Sequence, residues 1–120
     1  MEFVVHDVAG RRFVEGAPGR PLIERVEDVR GILEVCFAHA ARNLLLYPEN
    51  LPARFFDLSS GEAGQILQRL RTYHVRIALV RSPALQLSSR FAELLEEEQR
   101  GPYFRLFDAR AEAQEWLCSS

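Results

Sequence analysis

A chain of 120 residues, 48% hydrophobic and 27% charged, has room for one hydrophobic core and the composition of an ordinary globular protein, not of a disordered one. A formal net charge of -2 supplies no overall basic field for nucleic acid, and no run of eighteen apolar residues is present to span a bilayer. The two cysteines, Cys36 and Cys118, stand apart and in no Cys-x-x-Cys spacing, so two reduced thiols are expected in place of a disulfide framework or structural zinc.

The first residues, MEFVVHDVAG, lack a basic segment followed by a long apolar stretch, so they do not read as a signal peptide and a cytoplasmic location is expected. Phe3, Val4 and Val5, then Phe13 and Val14, flank a turn in which Gly10 can take positive φ, which predicts a β-hairpin. Gly16-Ala17-Pro18-Gly19-Arg20-Pro21 is a loop by composition, too short to link domains. Val26, Val29, Ile32, Leu33, Cys36, Phe37 and Ala40 recur at helical spacing and predict a helix over residues 26–41, with Glu27 and Asp28 at its positive pole. Gly31 within it costs about 1 kcal/mol relative to alanine, which suggests close packing against a strand.

Residues 44–80 organise the rest. Leu44, Leu45 and Leu46 are an apolar run too short for a helix, Pro48 ends it, and residues 75–80 form a second run rich in β-branched residues. Between them Ala63, Ile66, Leu67, Leu70 and Tyr73 make one apolar stripe of a helix, so the stretch reads as a βαβ unit with a right-handed crossover. Burying Ile66, Leu67 and Leu70 contributes about 1.5–3 kcal/mol each. Ser59-Ser60-Gly61-Glu62 has the spacing of a capping box, with Ser59 accepting from the Glu62 amide. Of the adjacent Phe55 and Phe56 in the preceding loop, one is expected to be buried as a plug.

Arg81-Ser82-Pro83 breaks the strand, and a turn follows through Leu87. Ser88 or Ser89 can cap a helix with Leu87, Phe91, Leu94 and Leu95 on its apolar side, ended by Gly101 and Pro102. Its Glu93, Glu96, Glu97 and Glu98 read as a solvated face, with Glu96 and Arg100 at a favourable spacing. Residues 103–107 are a last strand. Asp108 is placed to cap a final helix that turns Ala109, Ala113, Trp116 and Leu117 toward the core. One α/β domain over residues 1–120 is expected: a mixed sheet with an N-terminal β-hairpin followed by parallel strands and crossover helices.

That order of elements resembles the STAS domain of bacterial anti-sigma-factor antagonists, and FFDLSSGEAGQILQRLR resembles its signature, a short Asp-Ser-Ser-Gly turn opening a helix. Here Leu58 intervenes between Asp57 and Ser59. More closely, ENLPARFFDLSSGEAGQILQRL with VRIALV is similar to the uncharacterised bacterial family called domain of unknown function 4180, over most of the chain from about Val26. After Val80 the chain departs from that pattern, with Arg81-Ser82-Pro83 in place of a Gly-Asp-Phe-like turn. The STAS resemblance implies a regulatory role and a phosphorylatable serine at Ser59 or Ser60.

In a parallel sheet, ligands and partners meet the loops at the carboxyl ends of the strands. Phe55, Phe56, Asp57, Ser59, Ser60 and Gly61 are therefore the expected contact edge of a non-enzymatic module that binds a protein partner. The alternative is a small-ligand or anion sensor, in which the helix N-terminus at residues 59–61 acts with Arg81. The plain structural reading gives Ser59 a capping role alone. His6, His39 and His74 fall in separate elements and no Gly-x-Ser-x-Gly or Walker loop is present, so no enzyme, metal or cofactor is expected. All fifteen basic residues are arginine, which suits anion binding and also suits a coding bias against lysine. Trp116 is read as core or as a dimer contact, leaving monomer and homodimer both open.

Overall fold

The computed structural model describes residues 2–83 and 85–119. β1 (Phe3–Val8) and β2 (Arg11–Gly16) form the expected antiparallel hairpin. Ala9 and Gly10 between them hold φ of +53° and +84°, the mirror-image two-residue turn whose twist suits adjoining strands, and Asp7 Oδ1 accepts the Gly10 amide. β3 (Asn43–Leu46), β4 (Arg76–Val80) and β5 (Phe104–Phe107) run parallel to β2, so the sheet reads β1-β2-β3-β4-β5 with one antiparallel pair. The expected α/β class, with its hairpin followed by parallel strands and crossover helices, is the observed one.

Strands laid down in sequence order by right-handed crossovers must place every crossover helix on one face. α1 (Val29–Ala38), α2 (Glu62–Thr72) and α3 (Ser89–Glu98) do so, their Ile32, Ile66, Leu70 and Phe91 packing with Val14, Leu44, Leu46, Ile77, Leu79 and Phe104. α4 (Arg110–Cys118) follows the last strand and returns over the opposite face, where Ala113 and Leu117 meet Phe13, Leu45, Ala78 and Val80. Successive strand side chains point to opposite faces, so Leu44 and Leu46 serve one layer while Leu45 serves the other. Both faces being covered, β3 and β4 read as unbroken apolar runs.

Several local expectations are corrected. The first helix ends at Ala38, not 41, because Ala40 turns left-handed at φ +53° and the Ala41 amide reaches back to the Cys36 carbonyl at 2.8 Å. Gly31 is half-exposed in a surface recess with Pro21, Leu22 and Glu24, to which no strand residue contributes. Tyr73 leaves the apolar stripe as the residue closing α2, 50% exposed, with its ring 5.8 Å from that of Phe37. Asp108 does not cap α4; Ala109 holds that position without a side-chain bond, and both are exposed. Glu98 pairs with Arg71, so the acidic run is solvated except at its last member. Ser88 is the cap of α3, accepting the Phe91 amide at 3.1 Å. The turn expected over residues 83–87 contains Ala84, which lies outside the described residues.

Candidate functional site

The carboxyl ends of the strands open onto a rim built from residues 47–61, a segment folded as three short 3-10 turns: Pro48–Asn50, Ala53–Phe56 and Leu58–Ser60. Asn50, the buried polar residue of the core, holds its base. Asn50 Oδ1 accepts the Tyr47 amide at 2.7 Å, its Nδ2 donates to the Ala17 and Arg20 carbonyls at 2.8 and 2.7 Å, and its own carbonyl accepts the Leu22 and Ile23 amides. Every polar atom of this side chain is therefore satisfied, as burial demands. The loop after β2 is thus tied to the exit of β3. The approach is so close that Gly16 has no room for a side chain: a Cβ there would lie 2.7 Å from Asn50 Cγ.

Phe55 is the expected plug. It is fully buried, with ring centroids 5.2, 5.8 and 6.2 Å from those of Phe56, Phe91 and Phe104. Phe56 lies half-buried above it, 5.3 Å from Phe91. With this anchor fixed, Asp57 and Ser59 stand exposed at the tip. Asp57 Oδ1 accepts both the Ser59 amide at 3.1 Å and the Ser59 hydroxyl at 2.6 Å. The Ser60 hydroxyl is turned inward, within 2.7 and 2.8 Å of the Arg54 and Asp57 carbonyls, and accepts the Glu62 amide at 3.2 Å. Ser60 is committed to the turn; Ser59 is free to face solvent.

The capping box does not form. α2 begins at Glu62 behind Gly61, whose φ of +75° ends the preceding turn, so Glu62 is the first helical residue and not the third. Its carboxylate instead takes Arg54 Nε at 2.6 Å, an ion pair that raises the Arg54 pKa. Ser59, the expected cap, accepts nothing from the helix.

Arg81 and the histidines stand apart from the tip. Arg81 lines a shallow recess of about 310 Å³ with Ser82, Pro83, Leu85 and Asp108, to which no residue of 57–61 contributes; Gly61 borders a different one with Gly64 and Gln65. His39 is exposed, and His74, at φ +60°, places Nδ1 2.9 Å from the Tyr103 hydroxyl and not on the helix carbonyls. Among the described residues no three His, Cys, Asp or Glu side chains gather as a metal-holding group, and no helix is long and apolar enough to cross a membrane. Cys36 and Cys118 are both free; burial pushes the Cys36 thiol up to about 11.

A second polar cluster went unforeseen. Under α4, Glu15 accepts His6 Nε2 at 2.8 Å, the Tyr47 hydroxyl at 2.6 Å, and both Arg110 Nε and Arg110 Nη2 at 2.9 and 2.8 Å. The Arg110 hydrogen bonds, more than offsetting burial, hold the Glu15 carboxyl down at about 2. Burial beside that carboxylate pushes the Tyr47 hydroxyl up to about 12. The available signal was strand alternation, which puts a charged residue on the same face as buried Phe13.

Compared with known proteins, the chain matches a family model described as Domain of unknown function (DUF4180) over residues 8–117. No curated protein and no solved structure matches it.

Proposed function

The chain belongs to the DUF4180 family, and from that membership, whose description assigns no activity, we propose a non-enzymatic regulatory module, STAS-like and acting in a bacterial cytoplasm. In this reading it captures a protein partner with the rim formed by Phe55, Phe56, Asp57, Ser59, Ser60 and Gly61. The observation that carries the reading is the Ser59 hydroxyl, exposed on a braced tip and donating to Asp57 Oδ1 at 2.6 Å.

Phosphorylation at Ser59 would remove that donated hydrogen and set about -1.5 to -2 charges against the Asp57 carboxylate. The two anions must separate, so the tip changes shape and charge together while Phe55, buried beneath, keeps the base in place. Ser60 is the poorer acceptor because its hydroxyl closes the turn onto Arg54 and Asp57. The succession of hairpin, helix and parallel strands supports the STAS-like assignment.

The test is quantitative pull-down from a lysate of the host with wild type, Ser59→Ala and Ser59→Asp, each checked for an unchanged melting curve. The expected result is a protein retained by wild type and Ser59→Ala and lost with Ser59→Asp. Identical recovery by all three would overturn the reading.

A further inference from the structure

At the opposite end of the sheet, the first side chains that β2, β3, β4 and β5 send toward α4 are Arg11, Asn43, Arg76 and Arg105. Asn43 is in register with Arg76, and Arg105 with Ala78 one step along. Arg11 lies one same-face step before the level of Asn43 and Arg76, so the three arginines run diagonally across this face with Arg76 between the other two. Arg76 Cζ lies 4.1 Å and Arg105 Cζ 5.3 Å from the centroid of the same ring, that of Trp116.

A purely structural account covers one of the three. Arg76 donates to the Pro102 carbonyl at 3.1 Å and to the Trp116 carbonyl at 3.3 Å, and a cation suits the C-terminal end of α4. It leaves Arg11 and Arg105 unexplained. Among the described residues none of the three forms an ion pair, although acidic residues outnumber basic ones 17 to 15 in the chain. Arg105 Nε is buried without a hydrogen-bond partner, and so is Asn43 Oδ1. Burial, then the charges of Arg105 and Arg11, lower the Arg76 pKa, so the cations oppose one another. Like charges held together with a donor unsatisfied are a cost to folding, and such costs concentrate where something binds.

We propose that this diagonal cluster is an oxyanion site for inorganic phosphate or the phosphate group of a small phosphoester, gripped by Arg11 and Arg105 from either side with Arg76 and Trp116 as its floor. The arginine fork matches phosphate oxygens in pairs. A phosphate group carries about -1.5 to -2 charges and offsets most of the three guanidiniums, whereas a carboxylate offsets one.

Trp116 is the single tryptophan of the chain, so its emission reports on the site directly. The full chain is titrated at constant ionic strength with inorganic phosphate, glycerol phosphate and acetate. A saturable change in emission is expected with one or both phosphates and none with acetate; the tighter phosphate tells free anion from ester. Arg105→Gln and Arg11→Gln should each weaken binding by about tenfold or more while melting as folded proteins, since each removes charge-assisted bonds. Ser59→Asp should titrate like wild type, which separates this site from the rim. Emission that follows ionic strength alone, saturation with acetate equal to that with phosphate, or variants that titrate like wild type would overturn the assignment.

Discussion

Glu15 occupies a strand position whose neighbours face a dry core, and its side chain is 12% exposed. Four donors make that position tolerable, and the consequence is a pH dependence of known sign. With the folded pKa near 2 against an ordinary 4.5, the stabilisation is complete above about pH 4.5 and is lost as pH falls through 2. Glu15→Gln should therefore lower unfolding stability by about 2 kcal/mol at pH 7, less than the full shift implies because His6 and Arg110 remain 32% and 39% exposed. The gap between the two proteins should narrow steadily in urea melts taken from pH 4.5 to pH 2. Gly16 offers a second test at this scale. Gly16→Ala drives a methyl group into Asn50 and should cost about 1–3 kcal/mol. In Asn50→Ala the clash disappears, so the double variant should be more stable than the sum of the two single losses predicts, a coupling read from a double-mutant cycle.

Among the elements, α2 and α3 begin with similar serine-rich sequences and are closed differently. Ser88 bonds the Phe91 amide, so Ser88→Ala should cost about 1 kcal/mol. Ser59 bonds Asp57 and no helix amide, so Ser59→Ala should change stability by less than about 0.5 kcal/mol. Equal losses in chemical denaturation would show that Ser59 caps after all. The capping spacing was legible in the sequence and misleading, because a glycine two residues after the serine let the chain close one turn and start another. Burial of one phenylalanine was legible too, and only packing decided that it is Phe55: Phe55→Ala should cost about 3–5 kcal/mol and Phe56→Ala clearly less.

Over the whole molecule, protection should follow the layers. β3 and β4 are hydrogen-bonded on both edges and covered by helices on both faces, while β1 pairs on one edge and leaves Val4 and Val8 54% and 36% exposed. Native-state hydrogen exchange should find the amides of Leu44–Leu46 and Ile77–Leu79 slowest among the strands and the outward amides of β1 fastest. Comparable rates across the sheet would contradict this layering. The two polar clusters also sit at opposite ends of α4: Arg110, at its start, is held by Glu15, and Trp116, near its end, is flanked by Arg76 and Arg105. One short helix therefore joins the carboxyl and amino ends of the sheet across the face the crossovers leave open.

The sequence by itself determined the class of fold: apolar runs, helical stripes and turn residues set the order of hairpin, helices and parallel strands, because those signals act over a few neighbouring residues. It also brought the tip at residues 55–61 into view, since adjacent aromatics and paired serines stand next to one another in the chain. Tertiary structure alone decided that Asn50 fills the space beside Gly16, that Glu15 meets Arg110 across 95 positions, and that two arginines from separate strands share one tryptophan. Those contacts depend on which strands are neighbours and which face each side chain takes, and no short-range pattern encodes the two together.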